Sequence, residues 1–496
     1  PLEMFRFLFS VVIVALLLDR AASVSQDYPD PPATFEAKEF TTWSHRRVHN
    51  SSKASIYVPF TAADGSDDLI SVKRLDLVGT DYERGYSHGY LLAKDIFEFQ
   101  GYKLDMYFRE MVMDIDISGF PDALQKILHV IQVKGAMAAP AAFREAMAWV
   151  WEKEKSYVPT YILDELNGLG VGICDAVRHD AAAEKGEFQN LAELAGLKTG
   201  EDCDPAQWTE QISALNMLPE LIRMACTAYG AWGPATAADR GLVQLRALDF
   251  GGGPFANYTV AAVYRDSPES SGDGSAFVSI TFPGFVGVIT GVSQSGIGVS
   301  EKVWMTYDRF NLQPGSYDGL ADVFVLREIL QHSKTRQDAE NYLLNVNRTW
   351  AIWIGVGDYN SQVLDLVGYT QSEVGLYTDV TMPTMTGQPY IPSVAYVDKH
   401  PQPSGEGPNG TLPTALNDFY GNISCETSKI VTQYHKTGDL HIASYDFLHR
   451  EMYLAVGRIN QRGEYAPMGS EDTSVWKAYN RPYLKFSLPE LWKGVI

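Results

Sequence analysis

The residue with the most evident chemistry in this sequence is Cys226, within RMACTAYGAW (223–232). A thiol with an ordinary pKa of about 8.5 is mostly protonated at neutral or acidic pH, so a cysteine nucleophile needs a cation nearby. The next predicted strand carries Arg246 and Asp249 in RALDF. If the two strands pair antiparallel, Arg246 favours the thiolate, and Asp249 holds an ammonium or orients the arginine. Three positions apart on a strand, they face opposite sides unless a bulge or the strand end redirects one.

A lone cysteine after a helix is also commonly a buried apolar residue, so the elements around Cys226 matter. The sequence before it shows apolar residues at helical spacing. The predicted helices are Leu91–Phe108, Pro121–Val133, Ala141–Lys155, Tyr161–Val171 and Trp208–Met224. The last of these ends just before the cysteine.

After Cys226 the pattern changes to short β-rich runs separated by glycine, which indicates an antiparallel sheet system. Two helices interrupt it, and Thr335 is predicted to cap the second, with Asp338 three residues on. The predicted elements are strands Leu242–Leu248, Tyr258–Tyr264, Ala276–Phe282, Gly284–Thr290 and Gly296–Val303, helices Leu320–Gln331 and Gln337–Val346, strands Trp350–Val356 and Val363–Val367, a loop over 382–413, and strands His441–Asp446 and Glu451–Val456.

The composition is that of a large folded protein. Of 496 residues, 45% are hydrophobic and 12% aromatic, which excludes a disordered chain. The 61 acidic and 40 basic residues give a net charge of −21, which disfavours nucleic acid as a partner. No His/Cys cluster has zinc-ligand spacing, so we expect no metal and no cofactor.

The N-terminus predicts secretion. Residues 1–25 combine Arg6, a short apolar run and small residues, as a signal peptide does, and the run is too short to span a bilayer. We therefore expect no stable membrane insertion and a secreted or lysosomal location. Five Asn-x-Ser/Thr sequons agree with this route: Asn50, Asn257, Asn347, Asn409 and Asn422.

Four cysteines in so long a chain do not make a disulfide scaffold. Connectivity cannot be read from the sequence alone, and one or two bridges are allowed. We favour a Cys174–Cys203 pair, which leaves Cys226 and Cys425 unpaired.

The segments around Cys226 and Arg246 closely resemble the cysteine-type N-terminal-nucleophile (Ntn) hydrolases. This superfamily includes acid ceramidase, N-acylethanolamine acid amidase, bile-salt hydrolase, penicillin acyltransferase and the phospholipase B-like proteins. The similarity extends over residues 75–456. Four further segments of this sequence resemble segments of the same superfamily: GTDYERGYSHGYLL (79–92), DELNGLGVG (164–172), NMLPE (216–220) and GVSQSGIGVSE (291–301). The resemblance implies an α+β fold, a four-layer αββα sandwich of two antiparallel sheets with a mainly helical N-terminal segment.

The resemblance also implies self-cleavage between Ala225 and Cys226. The chain would divide into a signal peptide (1–25), a mainly helical pro-segment or α chain (26–225) and a sheet-rich catalytic β chain (226–496), with the two chains remaining associated. The freed α-amine of Cys226 would act as its own general base.

The remaining site roles also follow from the resemblance. Arg246 would orient the substrate or polarise the site, and Asp249 would hydrogen-bond the α-ammonium of Cys226. Asn417 would supply the oxyanion donor, with Asn422 as the alternative, and Glu301 would line the site or lie at a strand end on the surface.

The implied activity is an amidohydrolase that cleaves the linear amide of an N-acyl or lipid substrate through a thioester on Cys226. One alternative is a phospholipase B-like esterase, which the long segment before the cysteine also fits. Another is a catalytically silent secreted glycoprotein that uses the same fold.

Overall fold

The computed structural model describes most of the chain. The described residues are 28–49, 51–58, 72–110, 120–182, 202–222, 225–250, 255–268, 270–272, 274–304, 317–383, 388–400, 410–459 and 475–493. The predicted signal peptide (1–25) and the sequon residues Asn50 and Asn409 lie outside these ranges.

A seven-stranded sheet carries the region around Cys226. In spatial order its strands are β1 (Thr34–Glu36), β19 (Tyr483–Ser487), β16 (Glu451–Val456), β15 (His441–Asp446), β6 (Val243–Asp249), β5 (Ala225–Ala231) and β14 (Val394–Val397). The pairs are antiparallel except β1 with β19.

A ten-stranded sheet forms the second β layer. In spatial order its strands are β13 (Val374–Tyr377), β12 (Val363–Thr370), β11 (Ala351–Asp358), β10 (Ile297–Val303), β9 (Thr290–Ser293), β8 (Phe277–Thr281), β7 (Val260–Tyr264), β4 (Val72–Leu77), β3 (Lys53–Val58) and β2 (Lys38–Trp43). The one parallel pair here is β4 with β7. Two short strands, β17 (Arg458–Ile459) and β18 (Val475–Trp476), pair separately.

Each sheet, expected to be antiparallel, thus contains one parallel pair. Both pairs join a strand from before Cys226 to one from after it. Sequential strands joined by hairpins must run antiparallel, whereas strands that meet from distant parts of the chain can run parallel. The segment before Cys226 is therefore not only helical, because β1 to β4 extend both sheets.

The helices of the described residues fall on both sides of Cys226 in the chain. They are α1 (Asp81–Leu91), α2 (Ala93–Glu98), α3 (Leu104–Glu110), α4 (Asp122–Lys134), α5 (Ala139–Glu154), α6 (Thr160–Ala182) and α7 (Pro205–Leu215) before Cys226, and α8 (Asp322–His332), α9 (Arg336–Asn345), α10 (Thr411–Asp418), α11 (Cys425–His435) and α12 (Leu488–Trp492) after it. A π-helical turn, Phe99–Lys103, joins α2 to α3.

Alternating side chains on single strands define the layers. On β11, Ile352 and Ile354 join the apolar core shared with α8, whereas Trp353 lies in the core between the sheets. On β6, Val243 and Leu245 pack in a third core with α10 and α11. With α8 and α9 on the ten-stranded sheet and α11 on the seven-stranded one, the predicted α+β αββα sandwich is confirmed.

Glycines in two of the resembling segments allow α1 and α6 to cross at backbone contact. A Cβ on Gly85 would lie 1.8 Å from the Glu165 carbonyl oxygen, and one on Gly168 would lie 2.1 Å from that of Tyr82. Any side chain larger than hydrogen would push the helices apart. These two motifs therefore encode helix packing rather than chemistry.

The predicted helix Trp208–Met224 is shorter in the structure. It begins at Pro205 and ends at Leu215, followed by a 3₁₀ turn over Leu218–Glu220. Asn216 interrupts it, because its side chain binds the Ile212 carbonyl and accepts the N–H groups of Val286 and Gly287. Helix periodicity cannot show such a distant partner.

Candidate active site

Cys226 is the second residue of β5 and is fully buried. It pairs with Leu248 of β6, which in turn pairs with His441 of β15. Side chains in one such row leave the sheet on the same face. Tyr229 and Ala231 of β5 lie in the core on the other face, toward α10 and α11. Cys226 therefore faces the interior between the sheets.

The guanidinium of Arg246 contacts the thiol. Its Nη2 lies 3.3 Å from Cys226 Sγ and 3.1 Å from Glu301 Oε2. Its Nε donates to the Glu301 backbone oxygen at 3.2 Å, and Nη1 lies 3.0 Å from His441 Nε2. Contacts from three strands thus fix Arg246 beside the cysteine, and the predicted residues Cys226, Arg246 and Glu301 come together.

Strand β10 contributes two charged groups, Glu301 and Lys302, both with no exposed surface. Glu301 Oε1 has no hydrogen-bond partner among the described residues. Lys302 Nζ donates to the Val303 carbonyl at 3.1 Å. Burial lowers the pKa of Lys302 and raises that of Glu301, although Arg246 opposes the latter change. Glu301 is therefore a buried site residue and not a surface carboxylate.

Burial raises the pKa of the Cys226 thiol to about 12, while the charge of Arg246 acts in the opposite direction. In the intact chain the thiol is therefore protonated at physiological pH. Leu218 and Ile222, from the segment just before the cysteine, belong to the same apolar core cluster. The segment before Cys226 thus contributes to the burial of this thiol.

Asp249 lies at the end of β6, where its backbone pairs with Ala225. The β5–β6 register is regular, so Asp249 points to the opposite face from Arg246, as strand geometry requires. Its carboxylate accepts the Gly438 N–H at 2.7 Å and the Thr437 hydroxyl. Burial, followed by the charge of Asp439, raises its pKa to about 7. Asp249 adjoins the predicted cleavage site without touching the thiol.

His441 is a site residue that sequence reasoning missed. It lies 195 residues from Arg246 in the chain, is fully buried, and is also 3.3 Å from the Thr290 hydroxyl. No motif marks it. The pairing of β15 with β6 places it in the site, and only that pairing could have revealed it.

Asn417 is not brought to the cysteine. It is exposed on α10, which packs on the outer face of the seven-stranded sheet, and its Nδ2 donates to the Pro413 carbonyl at 2.9 Å. The alternative, Asn422, is also exposed on that side. The motif that suggested Asn417 belongs to a helix whose buried face carries Leu412 and Leu416.

The other predicted positions have simple environments. Cys174 and Cys203, the favoured pair, form a disulfide with Cα atoms 5.5 Å apart, whereas Cys226 and Cys425 are free and buried. The described sequon asparagines are all exposed: Asn257, Asn347 and Asn422.

Comparison with known proteins gives relatives that match most of this chain, although no protein-family model matches it. Protein dcd1A of Dictyostelium discoideum is 30% identical over 436 residues, which cover 85% of this chain and 86% of that protein. The chain belongs to the dcd1A family. Protein dcd1B of the same organism is 29% identical to the present chain over 442 residues. The match covers 86% of the present chain and 76% of dcd1B.

Solved structures resemble the dcd1A-family chain only weakly. A Caenorhabditis elegans N-acylethanolamine-hydrolyzing acid amidase ortholog has a TM-score of 0.35 and 13% identity, covering 51% of this chain and 99% of that one. Penicillin V acylase from Agrobacterium tumefaciens has a TM-score of 0.31 and 13% identity, covering 47% and 83%.

Among the described residues, no group of three or more His, Cys, Asp or Glu side chains is arranged to hold a metal ion. Within the same ranges, none of the helices combines the length and apolar character needed to cross a membrane.

Proposed function

We propose that this dcd1A-family chain is a self-processing cysteine Ntn hydrolase that cleaves linear amide bonds. The observation that carries the proposal is the buried contact of Arg246 Nη2 with Cys226 Sγ, on the strand that begins at the expected cleavage site. A fixed cation at a thiol favours thiolate attack on a carbonyl carbon.

Self-cleavage is the first reaction. Cys226 Sγ bonds to the carbonyl carbon of Ala225, the peptide C–N bond breaks, and the nitrogen takes up the thiol proton. Water then hydrolyses the thioester, which leaves a carboxylate on Ala225 and a free amine and thiol on Cys226. Asp249, paired with Ala225 at the strand end, would hold the new ammonium.

Substrate turnover repeats the same chemistry. The α-amine, with a typical pKa of about 7.7–8.0, accepts the thiol proton as Sγ attacks the substrate acyl carbon. That proton passes to the departing amine, and water releases the acid from the thioester. Nucleophile and base belong to Cys226, and Arg246 holds the negative charge on sulfur.

Aromatic residues beside the catalytic groups support an acyl substrate. Phe250 directly follows Asp249, and its ring lies 4.7 Å from that of Phe255 and 4.6 Å from that of Tyr107. Phe282 continues the cluster to within 6.2 Å of the His441 ring. We propose an N-acyl lipid as the substrate class. The exposed sequons and the disulfide support a secreted or lysosomal location.

The test is to express the chain with its signal segment and sequence the N-termini of its fragments after incubation at acidic pH. We expect a fragment beginning at Cys226, and Cys226→Ala should remain uncut. Cys425→Ala, which removes the other buried free cysteine, is the matched control and should be cleaved normally. An uncut wild-type chain, or cleavage that persists in Cys226→Ala, would reject the mechanism.

Substrate class is tested on the processed protein with a ceramide, an N-acylethanolamine and a lysophospholipid. Release of acid from the amides supports the proposal. Release from the lysophospholipid alone would replace it with the phospholipase B-like alternative. Absence of turnover together with no labelling of Cys226 by a thiol-directed acylating probe would indicate a silent glycoprotein.

A further inference from the structure

His441 makes two polar contacts in the site, both through Nε2. It occupies the same row of the sheet as Cys226, with Leu248 between them, and its Nε2 lies 3.0 Å from Arg246 Nη1. The Thr290 hydroxyl approaches the same nitrogen at 3.3 Å. A residue that merely filled this row would be apolar, as Leu248 is.

The contact with Arg246 determines where the imidazole proton lies. A guanidinium can only donate hydrogen bonds, so Nε2 of His441 must be the acceptor. The neutral imidazole therefore carries its proton on Nδ1, which has no partner among the described residues. Protonation of Nε2 would turn the acceptor into a second donor and break the contact.

We infer that His441 is a positioning residue, which accepts a hydrogen bond from Arg246 and so holds Nη2 against the Cys226 thiol. The inference rests on the proposed function. Glu301 fixes the Nε and Nη2 side of the guanidinium. His441 fixes Nη1, so the planar group cannot rotate away from the sulfur.

Burial and the charge of Arg246 keep His441 neutral. Arg246 of β6 touches it, and Lys302 and Glu301 of β10, Asp249 of β6 and the thiol of β5 are the other ionisable groups of the site. Burial, together with the charge of Arg246, holds the pKa of His441 well below its usual value. Both effects favour the neutral imidazole, which is the form that can accept a hydrogen bond from Arg246.

The experiment compares His441→Gln with His441→Asn. The Gln carboxamide reaches the position of Nε2 and can accept from Arg246, whereas that of Asn reaches only the position of Nδ1. We measure the self-cleavage rate of each precursor and, in processed protein, the pH dependence of Cys226 alkylation by iodoacetamide. His441→Asn should slow cleavage about 10-fold or more and move thiol alkylation to higher pH, since small misplacements of a catalytic group are costly. His441→Gln should retain most of both properties.

His88→Gln is the matched control. His88 is another buried neutral imidazole, with Nε2 accepting the Gly284 N–H at 3.1 Å and Nδ1 unpartnered among the described residues. Its substitution should leave the alkylation profile unchanged even if the protein unfolds at a lower temperature. Equal behaviour of His441→Gln and His441→Asn would overturn the inference, including the case in which neither folds, since the role would then be structural. A wild-type chain that does not cleave would instead overturn the proposed function.

Discussion

Glu220 Oε1 accepts the backbone N–H of Asp322 at 3.0 Å, which ties the turn before Cys226 to the first residue of α8. The carboxyl groups of Asp322 and of Glu154, at the end of α5, lie close enough to Glu220 to interact with its charge. All three groups are buried. Burial raises the pKa of each, and the charge of Glu220 adds to the rise at Glu154 and Asp322.

We predict that the uncleavable Cys226→Ala chain becomes less stable as the pH rises above about 4.5. There the unfolded carboxyl groups ionise while the buried ones stay protonated, so the folded state binds more protons. Each group then lowers the free energy of unfolding by about 1.4 kcal/mol per pH unit, up to its raised pKa. Urea unfolding between pH 4.5 and 8 measures this slope.

The variant Glu154→Gln should flatten that slope, because it removes one of the titrating groups. Glu145→Gln, an exposed position on the same helix, is the control and should leave the slope as it is. A stability that rises with pH over this range, or an equal effect of the two variants, would contradict the prediction.

The buried ion pair of Arg246 and Glu301 predicts a strongly non-additive pair of substitutions. Arg246→Met should cost about 3–5 kcal/mol of stability, since it leaves the Glu301 carboxylate buried without its cation. Adding Glu301→Leu should restore part of that loss, because the uncompensated charge is then gone. A double-mutant cycle from urea unfolding in the Cys226→Ala background measures the coupling, and simple additivity would speak against this pair.

The crossing of α1 and α6 predicts that Gly168→Ala destabilises the fold by about 3 kcal/mol or more, at the upper end of overpacking effects. Its Cβ would lie 2.1 Å from a backbone oxygen that cannot move aside. Gly355→Ala is the control, because its Cβ would meet neighbours at ordinary distances of 3.4 Å and more. Thermal unfolding of the two variants should therefore differ clearly, and equal shifts would refute the packing argument.

Removal of the disulfide should cost about 3–4 kcal/mol, the loop-closure entropy of a bridge between residues 29 positions apart. The double variant Cys174→Ala/Cys203→Ala, made in the Cys226→Ala background, tests this by urea unfolding. Reducing agent should then weaken the parent chain and leave the double variant unaffected. A variant as stable as the parent would show that the bridge adds nothing.

Local sequence signals predicted several elements near the site, although the strand expected over Gly284–Thr290 begins only at Thr290. Thr335 caps α9 with Asp338 as expected, and β15 and β16 have the predicted bounds. The position of Arg246 near Cys226 was also predicted, because β5 and β6 are adjacent in sequence and their pairing can be expected from the local pattern alone. These are the parts of the fold in which residues close in sequence decide the geometry.

The features that the sequence did not predict depend on contacts between residues far apart in the chain. His441 reaches the site because β15 pairs with β6, and Trp208–Met224 is interrupted because Asn216 binds a distant loop. Strand β14, Val394–Val397, lies inside a segment expected to be a loop, where it pairs with β5. Neither periodicity nor a local motif shows which distant strand will be the neighbour.

The strands that precede Cys226 would make refolding of the self-cleaved protein different from folding of the intact precursor. With β1 at the edge of one sheet and β4 within the other, a cut at Ala225 would leave two interwoven chains. Folding of the precursor is unimolecular, but reassembly after cutting and unfolding would depend on the concentration of both fragments. After heating and cooling, the Cys226→Ala chain should therefore regain its native state far more readily than the processed protein. The processed protein would have reached its native fold as the intact precursor, before the bond is broken.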